Sequence, residues 1–131
     1  MRTQQQRRTS DAELRAAVTQ QLGDEQWVAW MQRHLDALPP DCRLASYTQR
    51  NQALVVLQAQ QRDLRLTGHL DTFTGWIRQG RVVMQGQKAL RIVASMDEEP
   101  DTEDQHQQRE PRKRFRMVGR FDMAQTQPRE T

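Results

Sequence analysis

Cysteine occurs once, tyrosine once and lysine twice in this chain of 131 residues. A lone Cys42 cannot close an internal disulfide, so the fold must rest on its core, and a reducing cytoplasm suits it. No apolar run approaches the roughly 18 residues of a membrane span. The opening residues, Met1-Arg2-Thr3-Gln4-Gln5-Gln6-Arg7-Arg8, hold no apolar centre of a secretory signal. A cytoplasmic protein without a membrane partner is the expectation. Signatures of catalysis are missing too: there is no His-Glu-x-x-His, no cysteine cluster and no phosphate-binding glycine loop. His34, His69 and His106 share no metal-ligand spacing, so neither metal nor cofactor is expected. The acids concentrate in one stretch free of apolar residues, a poor place for a preorganised general base. Binding rather than catalysis is therefore the expected task.

The hydrophobic fraction of 35% and the mean hydropathy of −0.98 are low. Because the apolar residues cluster, a single domain with a modest core and polar tails is expected. The net charge of +3 hides a pattern. Residues 1–9 carry +3, residues 10–40 carry −3, and residues 41–96 carry +5. Residues 97–104 carry −6 and residues 105–131 carry +4. Of the 20 basic residues only Lys88 and Lys113 are lysine. Arginine binds phosphate bidentately and stacks on bases, although a GC-rich genome would also enrich it.

In order, residues 1–9 read as a basic disordered tail. Residues 10–40 form a helical segment: Ser10-Asp11-Ala12-Glu13 is a capping box, and Gly23 interrupts the helix it opens. Trp27, Met31, Leu35 and Leu38 then make one apolar stripe, read as core or interdomain packing, that ends at Pro39-Pro40. A third helix follows Ser46, its expected N-cap, with Tyr47, Asn51, Leu54, Val55 and Gln58 on one face. Two amides interrupt that stripe. Either they tie the helix to neighbouring backbone, the favoured reading, or with Tyr47 they border a groove for a base or sugar. Arg62 to Gly68 alternates like a strand. Phe73, Trp76 and Ile77 share one face of a short helix stopped by Gly80. Arg81 to Met84 and Leu90 to Val93 read as a β-hairpin with Gly86 and Lys88 at its tip, where a phosphate could dock. Residues 97–111 read as an acidic disordered loop. Phe115 to Met123 keep a two-residue phase, a last strand closing a small antiparallel sheet, and the end of the chain reads as a tail. The fold class expected is α+β.

These ordered stretches resemble a known family. Tyr47-Thr48-Gln49-Arg50-Asn51-Gln52 with Gln58 resembles the Tyr-Ser-x-x-Asn-Gln…Gln helix in the N-terminal domain of ArdC-type antirestriction proteins, with relatives in LtrC-like proteins and conjugative primases. Phe73 to Val83 is similar to aromatic-x-x-Trp-x-x-x-Gly-Arg-x-Val. Gln85 to Ile92 stands where the family has Lys-Gly-Glu-Lys-Gly-Ile-x-Ile, keeping only Gly86 and Lys88 at the tip. Phe115 to Thr126 resembles Phe-x-x-Val-x-Val-Phe-Asp-x-x-Gln-Thr. The resemblance covers roughly residues 44 to 126, within an expected domain of residues 41–126 followed by a tail at 127–131. It implies a single-stranded-DNA-binding domain carried by mobile elements such as plasmids. The zinc-peptidase-like domain that follows it in many relatives is not carried over.

The residues expected to meet DNA are Arg50, Arg78, Arg81, Lys88, Arg91, Arg114 and Arg116 for the backbone, and Tyr47, Trp76 and Phe115 for stacking. Asn51 and Gln58 would lie beside them. Trp76 reads as core before platform, because Phe73 and Ile77 share its face. A different class of reading stands beside this one. The run Asp97–Asp104 could mimic DNA toward a protein partner, the N-terminal helices could hold one, or the chain could be an accessory fragment of a peptidase or primase.

Overall fold

The computed structural model of the chain describes residues 9–95 and 115–130. The acidic stretch 97–111, Arg114 and most of the basic tail lie outside the described residues. Among the described residues, four α-helices and two small antiparallel sheets make the fold α+β.

Local chemistry sets the helix starts. Helix α1 (Asp11–Leu22) opens on the expected capping box: the Glu13 N–H donates to Ser10 Oγ at 3.0 Å and the Ser10 N–H to Glu13 Oε1 at 2.9 Å. Gly23 closes it. Helix α2 (Glu25–Asp36) is capped by Asp24, whose Oδ1 accepts from the N–H groups of Gln26 and Trp27. Helix α3 (Gln49–Arg62) is capped by Thr48, whose Oγ1 accepts from the Asn51 N–H. Ser46, the expected cap, instead ends a 3-10 turn (Arg43–Ser46) and donates its hydroxyl to the Arg43 carbonyl. Helix α4 (Phe73–Arg78) is capped by Thr72. Such caps contribute about 1 kcal/mol each.

The strands are β1 (Leu70–Asp71), β2 (Arg81–Val83), β3 (Leu90–Ser95), β4 (Phe115–Asp122) and β5 (Thr126–Pro128). One sheet has the order β1-β4-β3 and the other pairs β2 with β5. The expected hairpin is therefore not formed. Strand β2 meets β5, with Val83 opposite Thr126, while β3 meets β4, with Leu90 opposite Arg120 and Ser95 opposite Phe115. Residues 126–128, read as tail or its edge, supply β2 with the partner that β3 does not. The strand expected over Arg62 to Gly68 is also absent: α3 runs to Arg62, and Leu64 and Leu66 pack against the core without a ladder.

Helix α3 is the centre. On one flank Ala53, Leu54, Val56 and Leu57 bury against Leu14 and Val18 of α1 and Met31 of α2. On the other, Val55 joins Cys42, Leu44, Leu70, Leu90 and Ile92. Between these flanks α3 faces the free edge of β3, and the two amides seal it. Asn51 Nδ2 donates to the Val93 carbonyl at 3.0 Å and its Oδ1 accepts from the Val93 N–H at 2.9 Å. Gln58 does the same to Arg91, at 2.8 and 3.0 Å. A carboxamide carries one acceptor and a donor, like a peptide group. Two of them, two helical turns apart, thus stand in for the missing next strand and leave this edge closed to intruders.

A second polar hub joins the far end of β4 to the loop before β1. The Asp122 carboxylate is fully buried and accepts from the Thr67 N–H and hydroxyl, the Gly68 N–H and the Ala124 N–H. Gln125, also buried, accepts from the Asp122 N–H and donates to the Lys88 carbonyl. Gly68 has φ +89, and a Cβ there would meet Cys42 Sγ at 2.6 Å, so any other residue would be strained and would have to displace the Cys42 side chain.

Candidate nucleic-acid interface

An open cleft of about 560 Å³ lies where the start of α3 meets α1 and the paired ends of β3 and β4. Arg15 and Thr19 reach it from α1, one turn apart. Thr48, Arg50 and Asn51 come from the first turn of α3. Phe115, Arg116 and Met117 come from β4, opposite Val93 of β3. Their placement follows from the fold. Leu14 and Val18 anchor α1 on α3, which turns the next residues, Arg15 and Thr19, to its rim. Asn51 fixes α3 against Val93, and β3 in turn fixes β4.

Three guanidiniums therefore surround one hollow. Arg50 Nη2 donates to Thr19 Oγ1 at 3.1 Å, which ties α1 to α3. Among the described residues none of Arg15, Arg50 and Arg116 forms an ion pair. Phe115 is 57% exposed, a large ring left in water beside that charge. The positive end of the α3 dipole opens on the same side. Uncompensated guanidiniums with an open aromatic ring suit an anion that carries a flat base. A second hollow, about 590 Å³ at the α1–α2 turn, is lined by Gln20, Gln21, Gly23, Asp24, Glu25 and Gln26. It offers two carboxylates and no cation, so it is unsuited to a nucleic acid.

The residues singled out from the sequence divide in three. Arg50, Asn51, Phe115 and Arg116 come together at the cleft. Tyr47 stands just outside it, half-buried, with the guanidiniums of Arg120 and Arg43 and the Asp71 carboxylate nearby. Burial pushes its hydroxyl above its ordinary pKa, and the two arginines oppose that. The others are engaged elsewhere or lie apart. Gln58 is buried on Arg91, as the structural alternative for the amides had it, and Asn51 spends its carboxamide on Val93. Trp76 is only 3% exposed and its indole N–H donates to the Phe121 carbonyl at 2.8 Å, so no ring face is open for stacking. Arg91 pairs with Asp11 at 2.7 Å, linking β3 to α1. Arg81 holds Thr126, Nε to Oγ1 at 2.7 Å, and so clasps β2 to β5. Lys88 is exposed near the end of α3; its carbonyl accepts from Arg62, about 18 Å along the helix from Arg50. Arg78 is exposed at the end of α4. The tip and the cleft are thus separate places.

Sequence reasoning missed Arg15, Thr19 and Thr48 at the cleft, and Arg43 and Arg120 beside Tyr47. The positions Arg15 and Thr19 follow the buried Leu14 and Val18 by one residue each, but only the packing of α1 on α3 shows which neighbour they meet. Among the described residues no group of histidine, cysteine or carboxylate side chains could hold a metal ion. No helix among them is long and apolar enough to cross a membrane.

The family model for the N-terminal domain of the anti-restriction factor ArdC matches residues 6–122. The chain belongs to this family. The match takes in α1, α2 and the motif-bearing stretch as far as Asp122, and so includes every described residue of the cleft. No curated protein and no solved structure matches the chain. Membership of the ArdC N-terminal family points to an antirestriction-related role.

Proposed function

We propose that this ArdC-family chain is a non-catalytic single-stranded-DNA-binding domain of a mobile element, and that the α1–α3–β4 cleft holds the strand. The observation that carries the reading is the cleft itself: Arg15, Arg50 and Arg116 without ion-pair partners among the described residues, around a half-open Phe115 ring. The guanidiniums take phosphates and the phenyl ring takes a base. Stacking contributes roughly 1–3 kcal/mol per base and is indifferent to which base it is. A duplex keeps its bases stacked inside, so the ring favours a single strand. Sequence preference should be slight and salt should weaken binding, with a log–log slope of about −0.7 per phosphate neutralised.

Fluorescence anisotropy of labelled oligo-dT against a duplex of equal length, at two salt concentrations, tests this. Salt-sensitive binding that prefers the single strand and weakens in Arg50→Ala is the expected result. Equal affinity for both forms would reduce the role of the cleft to general attraction for polyanions. No binding at low salt would overturn the proposal.

A further inference from the structure

The three phenylalanines of the chain gather along one face of the sheet. Alternation along β4 puts Phe115, Met117, Gly119 and Phe121 on the face from which Phe115 and Met117 line the cleft. Met117 is drawn down toward the core between α1 and α3, beside its partner Val93. Gly119 is exposed and bare, and a Cβ there would crowd the Ala89 Cβ at 2.8 Å. The face is therefore low between the rings of Phe115 and Phe121. At its far end Phe73 of α4 meets Phe121 edge to face, with ring centroids 6.2 Å apart. Phe73 is 50% exposed; among the described residues only it and Phe115 are large apolar side chains left in water. Trp76 sets it there, because its indole N–H, donated to the Phe121 carbonyl, pins α4 to the end of β4. Asp71, opposite Phe121 on β1, has its carboxylate against Gly75 of α4, where it accepts from the Thr72 N–H and the Gln79 amide.

We infer that Phe73, set against Phe121, is a second base-stacking platform, reached by a strand that leaves the cleft at Phe115 and runs along this face of β4 over Met117 and Gly119. The inference rests on the single-strand reading above and gives it a direction and a length. The two platforms share one face of one strand, so a ligand can pass from one to the other without rounding an edge. Phe115 to Phe121 spans six residues of strand, about 20 Å. At about 3.4 Å per nucleotide of a stacked strand, that distance covers about six nucleotides. Beside the middle of this path Arg91 is already paired with Asp11. The second platform therefore takes a base and not a phosphate, and it adds affinity that salt does not weaken.

The test compares a labelled dithymidine, too short to reach both rings, with an oligo-dT of about eight nucleotides, a length within the usual range of single-strand sites. The proteins are wild type, Phe73→Leu, which keeps an apolar side chain and removes the ring, and Phe73→Tyr, which keeps the ring. Phe73→Leu should bind the longer strand about five-fold or more weakly, with dithymidine binding and the salt slope unchanged. Phe73→Tyr should bind as wild type does. In wild type, 5-iododeoxyuridine placed singly along the longer strand should photocrosslink to Phe115 and to Phe73 from positions several nucleotides apart. Wild-type affinity of Phe73→Leu for the longer strand, or crosslinks to Phe115 without any to Phe73, would overturn the second platform and leave the cleft reading standing. Failure of wild type to bind either oligonucleotide would overturn both.

Discussion

Arg50 and Asn51 are neighbours in the chain and opposites in the structure. Asn51 turns its carboxamide inward and spends both ends on Val93. Arg50 keeps its guanidinium at the rim, touching only the Thr19 hydroxyl among the hydrogen bonds it forms. The same division runs through the molecule. Asn51, Gln58, Asp122 and Gln125, all inside the motifs that resemble the family pattern, form an inner polar framework that closes the β3 edge and joins β4 to the rest. Arg15, Arg116 and Phe115, with Arg50, form an outer surface whose guanidiniums have no ion pair among the described residues. A polar residue that recurs in a motif need not touch a ligand. Buried polar groups are costly unless fully satisfied, so a framework built from them tolerates few substitutes.

The comparison can be broken at several points. The largest effect is expected at Asp122→Asn, which sets an NH2 group against the N–H donors of Thr67 and Gly68. Stability should fall by about 3 kcal/mol or more, read as a lower midpoint in urea. Gln58→Ala should follow at about 1–3 kcal/mol, because Arg91 loses both partners for its backbone groups. For either variant, the affinity for oligo-dT per folded molecule should stay at the wild-type value; a large loss of affinity at full folding would erase the division. Phe115→Ala should do the reverse, weakening oligo-dT binding by about 1–3 kcal/mol with the urea midpoint unmoved. Arg50→Ala should lower the salt slope by about 0.7, the share of one phosphate, and Lys88→Ala should change neither quantity.

The smallest effect concerns Tyr47, the only tyrosine, whose ionisation can be followed by phenolate absorbance without interference. Burial raises its folded pKa above the ordinary value near 10. The folded state therefore holds this proton more tightly than the unfolded chain, so the contribution is intact below about pH 10 and is lost as pH rises through the folded value. A Tyr47→Phe chain should lack that alkaline decline.

Much of the framework was legible in the sequence because its causes are local. The Ser10–Glu13 capping box, the Gly23 stop, the stripe through Trp27, Met31 and Leu35, and the short Trp76 helix all depend on residues within a few positions of one another. The strand pairing was not. The runs at 81–84 and 90–93, with Gly86 between them, satisfy the local pattern of a hairpin, yet each finds its partner far along the chain. Leu64 and Leu66 alternate like a strand, but alternation records burial and not a ladder. The cleft was half legible. Arg50, Phe115 and Arg116 stood out by residue type and by motif, whereas Arg15 reaches the site only through the packing of α1 on α3. The basic residues at 78, 81 and 88 looked equivalent to these in sequence, and only the course of α3 separates the tip from the cleft.

The most direct test of this division is a backbone amide NMR titration of the protein with a short oligo-dT. The expected result is a set of shifts at Arg15, Thr19, Thr48, Arg50, Phe115 and Arg116, with Thr67, Gly68 and residues 122–126 undisturbed. Shifts centred on the turn at residues 85–88 or on α2, with the cleft residues silent, would contradict the account.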